Sequence, residues 1–295
     1  MSPQFTIIDA PSILGLRPIG VELLPDALKA AGLIEKLHAD YAGRVSSPLP
    51  YNSDRDKVTL LKNPHSIKIF SIQLADMVSY VIRSRRYPIV LGGDCSLLIG
   101  NLLALRRLGR YGLFFIDGHA DFYQPEASLT GEVADMDLAI VSGRGPDILT
   151  NIDNLKPLVR DEDIILFGYR DREQAASFGS QDVRNTNINS FDLAYVKPQG
   201  IRIAASEAIK KILNDELSGF WIHLDADVLD DAIMPAVDYR LNGGLSFYEL
   251  REVLKIIVAT GRSIGMDITI FNPNLDSDGL IARRFVSAVV KGISS

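Results

Sequence analysis

Gly112-Leu-Phe-Phe-Ile-Asp-Gly-His-Ala-Asp121 opens as a wholly apolar run and then places Asp117, His119 and Asp121 at alternate positions. So short an apolar run, closed by Asp-Gly, reads as a β-strand buried on both faces rather than as one side of an amphipathic helix. The same device recurs at Phe5 to Ile8, Ile89 to Leu91, Ile164 to Phe167, Phe220 to Leu224 and Ile264 to Ile270. Between these runs lie segments with helical period: Phe70, Leu74, Met77, Val78 and Val81; then Leu98, Leu102 and Leu105; then Leu250, Val253, Leu254, Ile257 and Val258. Each draws one apolar stripe along a helix. Doubly buried strands alternating with such helices predict crossover units, a mainly parallel sheet and a three-layer α/β/α architecture.

The chain has 295 residues, 47% of them apolar and 23% charged, enough to bury a large core. Residues 1–295 contain no Pro/Ser-rich linker, low-complexity block or internal repeat, so one domain is expected; the least regular stretches are Leu37 to Pro64 and Asp171 to Gly200. A net charge of −6 argues against a surface for nucleic acid or anionic membranes. No apolar run approaches the ~18 residues of a membrane span. The opening MSPQFTIIDAPS lacks a basic stretch followed by an apolar one, so a soluble, cytoplasmic protein is expected. The single cysteine, Cys95, excludes an internal disulfide and a Cys-rich zinc module.

In parallel sheets reactive groups collect beyond the carboxyl ends of the strands, where loops converge and helix N-termini point inward. Three predicted strand exits carry chemistry. Pro88-Ile-Val-Leu-Gly-Gly-Asp-Cys-Ser96 ends in two glycines that permit a tight turn and close backbone approach, followed by Asp94, Cys95 and Ser96. Asp94 or Ser96 can serve there simply as an N-cap, and Cys95 as a small buried filler. At the second exit Asp117, His119 and Asp121 face one way if the extended form continues. Phe220-Trp-Ile-His-Leu-Asp-Ala-Asp-Val-Leu-Asp-Asp231 repeats the pattern with Asp225 and Asp227, then Asp230 and Asp231. So many carboxylates in one crevice repel one another and titrate abnormally unless a cation lies between them. His223, two residues before Asp225, reads as a hydrogen-bonded core histidine with ligation as the alternative, and His38 and His65 read as surface residues.

Gly92-Gly-Asp-Cys-Ser96, Asp117-Gly-His-Ala-Asp121 and Asp225-Ala-Asp-Val-Leu-Asp230 resemble, in order and type, the three signature motifs of the arginase/agmatinase/formiminoglutamase (ureohydrolase) family. The similarity extends to Gly20-Val-Glu-Leu-Leu-Pro25, Phe167-Gly-Tyr-Arg-Asp171 and Asp267-Ile-Thr-Ile-Phe-Asn-Pro273, and so covers nearly the whole chain. The resemblance implies an eight-stranded parallel sheet, a binuclear manganese site, hydrolysis of a C–N bond in a linear guanidino or amidine compound, and a homo-oligomer, a trimer or hexamer. Carried over by position, one ion is bound by Asp117, Asp121, Asp225 and the residue at 95, the other by His119, Asp117, Asp225 and Asp227. Asp117 and Asp225 then bridge, in keeping with the shared hard ligands of two-metal sites. Water activated between the cations is the implied nucleophile, and Asp121 the implied carrier of its proton to the departing amine.

Four positions depart from the family pattern. Cys95 stands where a metal-binding histidine is usual, and a thiolate beside carboxylates opens the site to zinc, iron, cobalt or nickel. The alternative is that this first site is empty while His119 and three aspartates still hold one ion, and fewer than two tightly held metals per chain are expected. Ile270 stands where a glutamate usually contacts the guanidinium, Ala134 or a neighbour where Gly131-Glu-Val-Ala-Asp-Met-Asp-Leu-Ala139 would carry a histidine, and Asp231 where a proline is usual. Glu132, Asp135, Asp137, Arg144 and Glu173 are loop residues that could supply other substrate contacts, with solvated surface charge as the simpler reading. Two alternatives follow: a metal-free enzyme with Cys95 as a nucleophile of lowered pKa and His119 as base, or an inactive ureohydrolase-like subunit. Against the second, buried like charges without a cation cost stability. No nucleotide-binding glycine motif or serine-hydrolase elbow is present.

Overall fold

The computed structural model describes residues 4–47 and 49–294; residues 1–3, the head of the segment read for a leader, lie outside the described residues, as do 48 and 295. The apolar runs form strands β1 (Phe5–Ala10), β3 (Tyr87–Gly92), β4 (Gly112–Ile116), β5 (Ile164–Phe167), β7 (Phe220–Asp225) and β8 (Ser263–Thr269). Two further strands, β2 (Asp40–Arg44) and β6 (Asn189–Phe191), complete one eight-stranded sheet in the order β2-β1-β3-β8-β7-β4-β5-β6. Every pairing is parallel. β2 and β6 are the two edges, and they fall inside the two stretches that look irregular in sequence. Edge strands are only partly covered, so neither shows the continuous apolar run of the central ones.

Alternate side chains leave opposite faces of each strand. Leu113 and Phe115 pack on one side with helices α1 (Pro64–Arg83) and α2 (Leu98–Leu108). Phe114 and Ile116 pack on the other with α3 (Ile201–Ile212), α4 (Phe247–Val258) and α5 (Leu280–Ile293). The stripes read in α1, α2 and α4 face the sheet, with Met77 and Val258 at its margins. α4 begins in a capping box, Ser246 and Glu249 exchanging side-chain and backbone hydrogen bonds, which fixes where its apolar face starts. The four residues Leu113 to Ile116 are fully buried, at about 1.5–3 kcal/mol for each large apolar side chain, which anchors the charged exit that follows. Among the described residues no helix is long and apolar enough to cross a membrane.

Candidate metal centre

Strands β3, β8, β7 and β4 are neighbours at the middle of the sheet, so their carboxyl ends open on one crevice. Ile116 pairs with Leu224, so the next residues, Asp117 and Asp225, leave the sheet side by side. Asp225 in turn pairs with Thr269 on β8. Both exits then bend in the same way. The His119 N–H donates to Asp117 Oδ1 at 2.6 Å, and the Asp227 N–H donates to Asp225 Oδ1 at 2.7 Å. These side-chain turns, not a continued strand, bring the alternate residues round, and Asp121 takes a left-handed φ of 44°. The expectation that extended backbone aims Asp117, His119 and Asp121 alike is corrected accordingly.

Two glycines allow the approach. A Cβ on Gly118 would stand 2.8 Å from Asp227 Oδ1 and 2.5 Å from Arg170 Nη1, and the Gly118 N–H donates to that carboxylate oxygen at 3.0 Å. A Cβ on Gly93 would meet the Ser12 carbonyl oxygen at 1.8 Å. Asp94 caps the turn at Cys95–Leu97, accepting from the Ser96 N–H at 2.9 Å and from Gly15 N–H at 3.2 Å, so its role is structural.

Two groups of donors converge. Cys95, Asp117, His223 and Asp225 form one, and Asp117, His119 and Asp227 the other, with the ligand atoms of each group within 4.8 Å of one another. Asp117 belongs to both. The Cys95 thiol donates to Asp225 Oδ2 at 2.9 Å and lies 3.3 Å from Thr269 Oγ1, while His119 Nδ1 lies 2.9 Å from Asp227 Oδ2. Asp121 lines the same cavity, but its carboxylate joins neither group. His223 is buried and hydrogen-bonded, as its core reading has it, with Nδ1 2.5 Å from Asp267 Oδ2. Its Nε2, however, has no hydrogen-bond partner, and neither has Asp117 Oδ2, 3.9 Å away.

Burial dominates the electrostatics. It pushes the Asp117 carboxyl up to about 6, helped by the charge of Asp227, and raises Asp121, Asp137 and Asp225 well above the ordinary carboxylate range. Asp227 goes the other way: burial opposes its charge, but His119 outweighs burial and lowers it. Burial also disfavours the His119 and His223 cations, yet Asp227 and Asp117 raise His119 well above its usual value, and Asp267, Asp137 and Asp117 raise His223 to about 10. The Cys95 thiol is pushed well up, first by burial and then by Asp225, Asp137, Asp117 and Asp121. This is opposite to the lowered pKa that the metal-free thiolate reading requires, because burial first and then the four neighbouring carboxylates disfavour the thiolate.

The cavity, about 230 Å³, is lined by the carboxylates of Asp121, Glu132, Asp135, Asp171, Asp225 and Asp227 and by apolar Leu16, Ala134, Leu129, Phe178 and Ile270. No lysine or arginine lines it among the described residues. Glu132, a loop charge in sequence, is buried and accepts from Lys62 Nζ at 3.0 Å and Tyr239 Oη at 2.8 Å. Asp137 is buried too, with Oδ2 unpartnered. Arg144 instead forks onto Asp161 at 2.7 and 2.6 Å outside the cavity, and Glu173, His38 and His65 are exposed. Asp230 caps its own turn through the Ala232 N–H, and Asp231 pairs with Arg240. The burial of Asp137 and Glu132 was hidden because nothing in a loop's local sequence tells which side chains fold inward.

The sequence model of the Arginase family matches residues 4–293. The arginase of Staphylococcus aureus (strain MSSA476) is 30% identical over 293 residues, covering 96% of this chain and 94% of that protein. Human arginase-1 is 30% identical over 295 residues, covering 96% and 89%. Among solved structures, native arginase from Bacillus caldovelox has a TM-score of 0.87 at 26% identity, with 99% of both chains covered. The proclavaminate amidino hydrolase of Streptomyces clavuligerus, at 17% identity and a TM-score of 0.72 over 99% of this chain and 92% of that one, shares the fold. With its eight parallel strands and its exit motifs in the same order, this chain belongs to the arginase family.

Proposed function

We propose that the protein is a divalent-metal-dependent hydrolase that cleaves a C–N bond in a small, linear, cationic guanidino or amidine compound. The observation that carries this reading is the buried Asp117 carboxylate, shared by both donor groups and left with an unpartnered oxygen. Carboxylates packed this closely without a cation are costly, and their donor chemistry suits one. Asp117, His119 and Asp227 offer oxygen and imidazole donors suited to manganese, and Asp225 stands beside them. When bound, divalent ions supply Lewis acidity and a water of lowered pKa.

The chain's own residues do the rest. Six carboxylates around the cavity and no lining lysine or arginine favour a cation, while Leu16, Leu129, Phe178 and Ile270 cover its apolar part. Lys62 and Tyr239 hold Glu132 in the wall by its two oxygens. Asp121, at the cavity lining beside His119 and Asp225, takes a proton from the attacking water and passes it to the departing nitrogen. Ile270 offers no charge to a guanidinium, so orientation rests on the surrounding carboxylates, and arginine is not singled out as the substrate.

The test is a panel of guanidino, formimino and ureido compounds incubated with metal-loaded protein, scored for urea, formamide or ammonia. Metal-dependent release from at least one compound is expected. A protein that binds its ions and hydrolyses none overturns the reading in favour of an inactive subunit, the alternative that Ile270 and Ala134 in the cavity wall support.

A further inference from the structure

We infer that His223, on the same strand as Asp225, the carboxylate that Cys95 contacts, is a metal ligand, and that Cys95, His223, Asp117 and Asp225 together form a site selective for a borderline-soft divalent ion such as zinc or cobalt over manganese. The inference rests on the reading of this crevice as a metal centre and deepens it. His223 and Asp225 are two residues apart on β7 and so project from one face of the sheet. His223 pairs with Asp267 on β8, and the two side chains meet at Nδ1 and Oδ2, 2.5 Å apart.

Asp267 is itself fixed from two other directions, accepting from Asn101 Nδ2 of α2 at 2.9 Å and from Trp221 Nε1. Phe115 stacks on the imidazole at a centroid distance of 4.4 Å and an interplanar angle of 25°. With Nδ1–H given to Asp267, Nε2 is the nitrogen open to an ion, which would take the place of a proton there; it is fully buried, has no partner and belongs to the donor group containing Cys95. A carboxylate behind the far nitrogen is the usual support for a metal-bound imidazole.

The spacing also fits. An ion about 2 Å from each of two donors sits between atoms up to ~4 Å apart, and His223 Nε2 and Asp117 Oδ2 are 3.9 Å apart, too far for a hydrogen bond. One sulfur and one imidazole among the donors move the preference from manganese toward zinc and cobalt. Thus the imidazole absent at position 95 is supplied by β7, two strands away in the sheet, and the thiol adds softness instead of emptying the site.

The test adds one equivalent of Co²⁺ to the full chain after chelation. Expected are a near-ultraviolet sulfur-to-cobalt charge-transfer band that excess Mn²⁺ does not erase, and X-ray absorption showing one sulfur and at least one imidazole on the same ion. Cys95→Ser should abolish the band, and His223→Gln should weaken cobalt binding at least tenfold and shift the visible bands. Absence of the band in the unmodified protein, sulfur without imidazole, or wild-type affinity and spectrum in His223→Gln overturns the inference. The X-ray measurement decides the matter on the unmodified protein even if a variant fails to fold. A protein with the full cobalt signature that hydrolyses nothing refutes the hydrolase reading alone; an active manganese enzyme without the signature refutes this site alone.

Discussion

Raising the pH from 5 to 7 in the presence of a chelator should destabilise the protein, and a divalent ion should reverse the loss. Burial, with the charge of Asp227 second, lifts the Asp117 carboxyl from its ordinary 3.8 to about 6. Between those values the folded chain keeps a proton that the unfolded chain has released, so stability falls as pH climbs through the window. For Asp117 alone this amounts to about 3 kcal/mol by pH 7, of which roughly 1 kcal/mol is lost between pH 5 and 7. Asp121, Asp137 and Asp225 are raised as well and add in the same direction. His119, raised above 6.5, stabilises fully below that value and loses its contribution as pH rises through its folded pKa, again with the same sign. Asp182, lowered to about 2 by Arg184, stays ionised throughout, so an exposed pair of this kind does not mask the trend.

The assay is urea unfolding at each pH, with chelator or with a divalent ion at one fixed concentration, about 100 times its dissociation constant at pH 7. At pH 7 the ion should restore about 2.7 kcal/mol, and less at pH 5, where protons compete for the same carboxylates. A chelated protein more stable at pH 7 than at pH 5, or an unfolding midpoint indifferent to the ion, would refute the argument that these buried carboxylates await a cation.

Asp121→Asn should reduce turnover by about 10²–10⁴-fold while bound metal, measured by elemental analysis, changes far less; an active variant removes Asp121 from proton transfer. Gly118→Ala places a methyl within 2.8 Å of Asp227 Oδ1, and should cost about 1–3 kcal/mol in urea unfolding and weaken metal binding measurably. Chelation should abolish hydrolysis, whereas a thiol-alkylating reagent should leave the folded, metal-loaded enzyme active, because Cys95 is buried and its thiol is pushed up. Rapid inactivation by the alkylating reagent with activity insensitive to chelation would favour the thiol mechanism instead.

Legibility in the sequence followed burial. Leu113 to Ile116 and Phe220 to Leu224 are apolar on both faces because both faces are covered, and such runs announce themselves. Asp40–Arg44 and Asn189–Phe191 form strands at the sheet edges, where partial solvent contact permits Asp, Arg, Asn and Ser, so no pattern marks them. The convergence of Asp117 with Asp225 was readable as two exits of one kind. Their side-by-side departure depends on the pairing of Ile116 with Leu224, which local sequence does not encode.

The order of apolar runs and helical stripes was enough to determine a parallel, doubly covered sheet and to put Cys95, Asp117, His119, Asp121, Asp225 and Asp227 near its carboxyl edge. Strand order was decided only in three dimensions, since it depends on contacts between segments distant in sequence, two of them, β3 with β8 and β4 with β7, more than a hundred residues apart. It set His223 against Asp267 rather than merely into the core, turned Asp137 and Glu132 inward, and surrounded the Cys95 thiol with carboxylates. A side chain's charge state and partners follow from what the tertiary fold packs around it, and that is why composition and spacing foretold the crevice but not its chemistry.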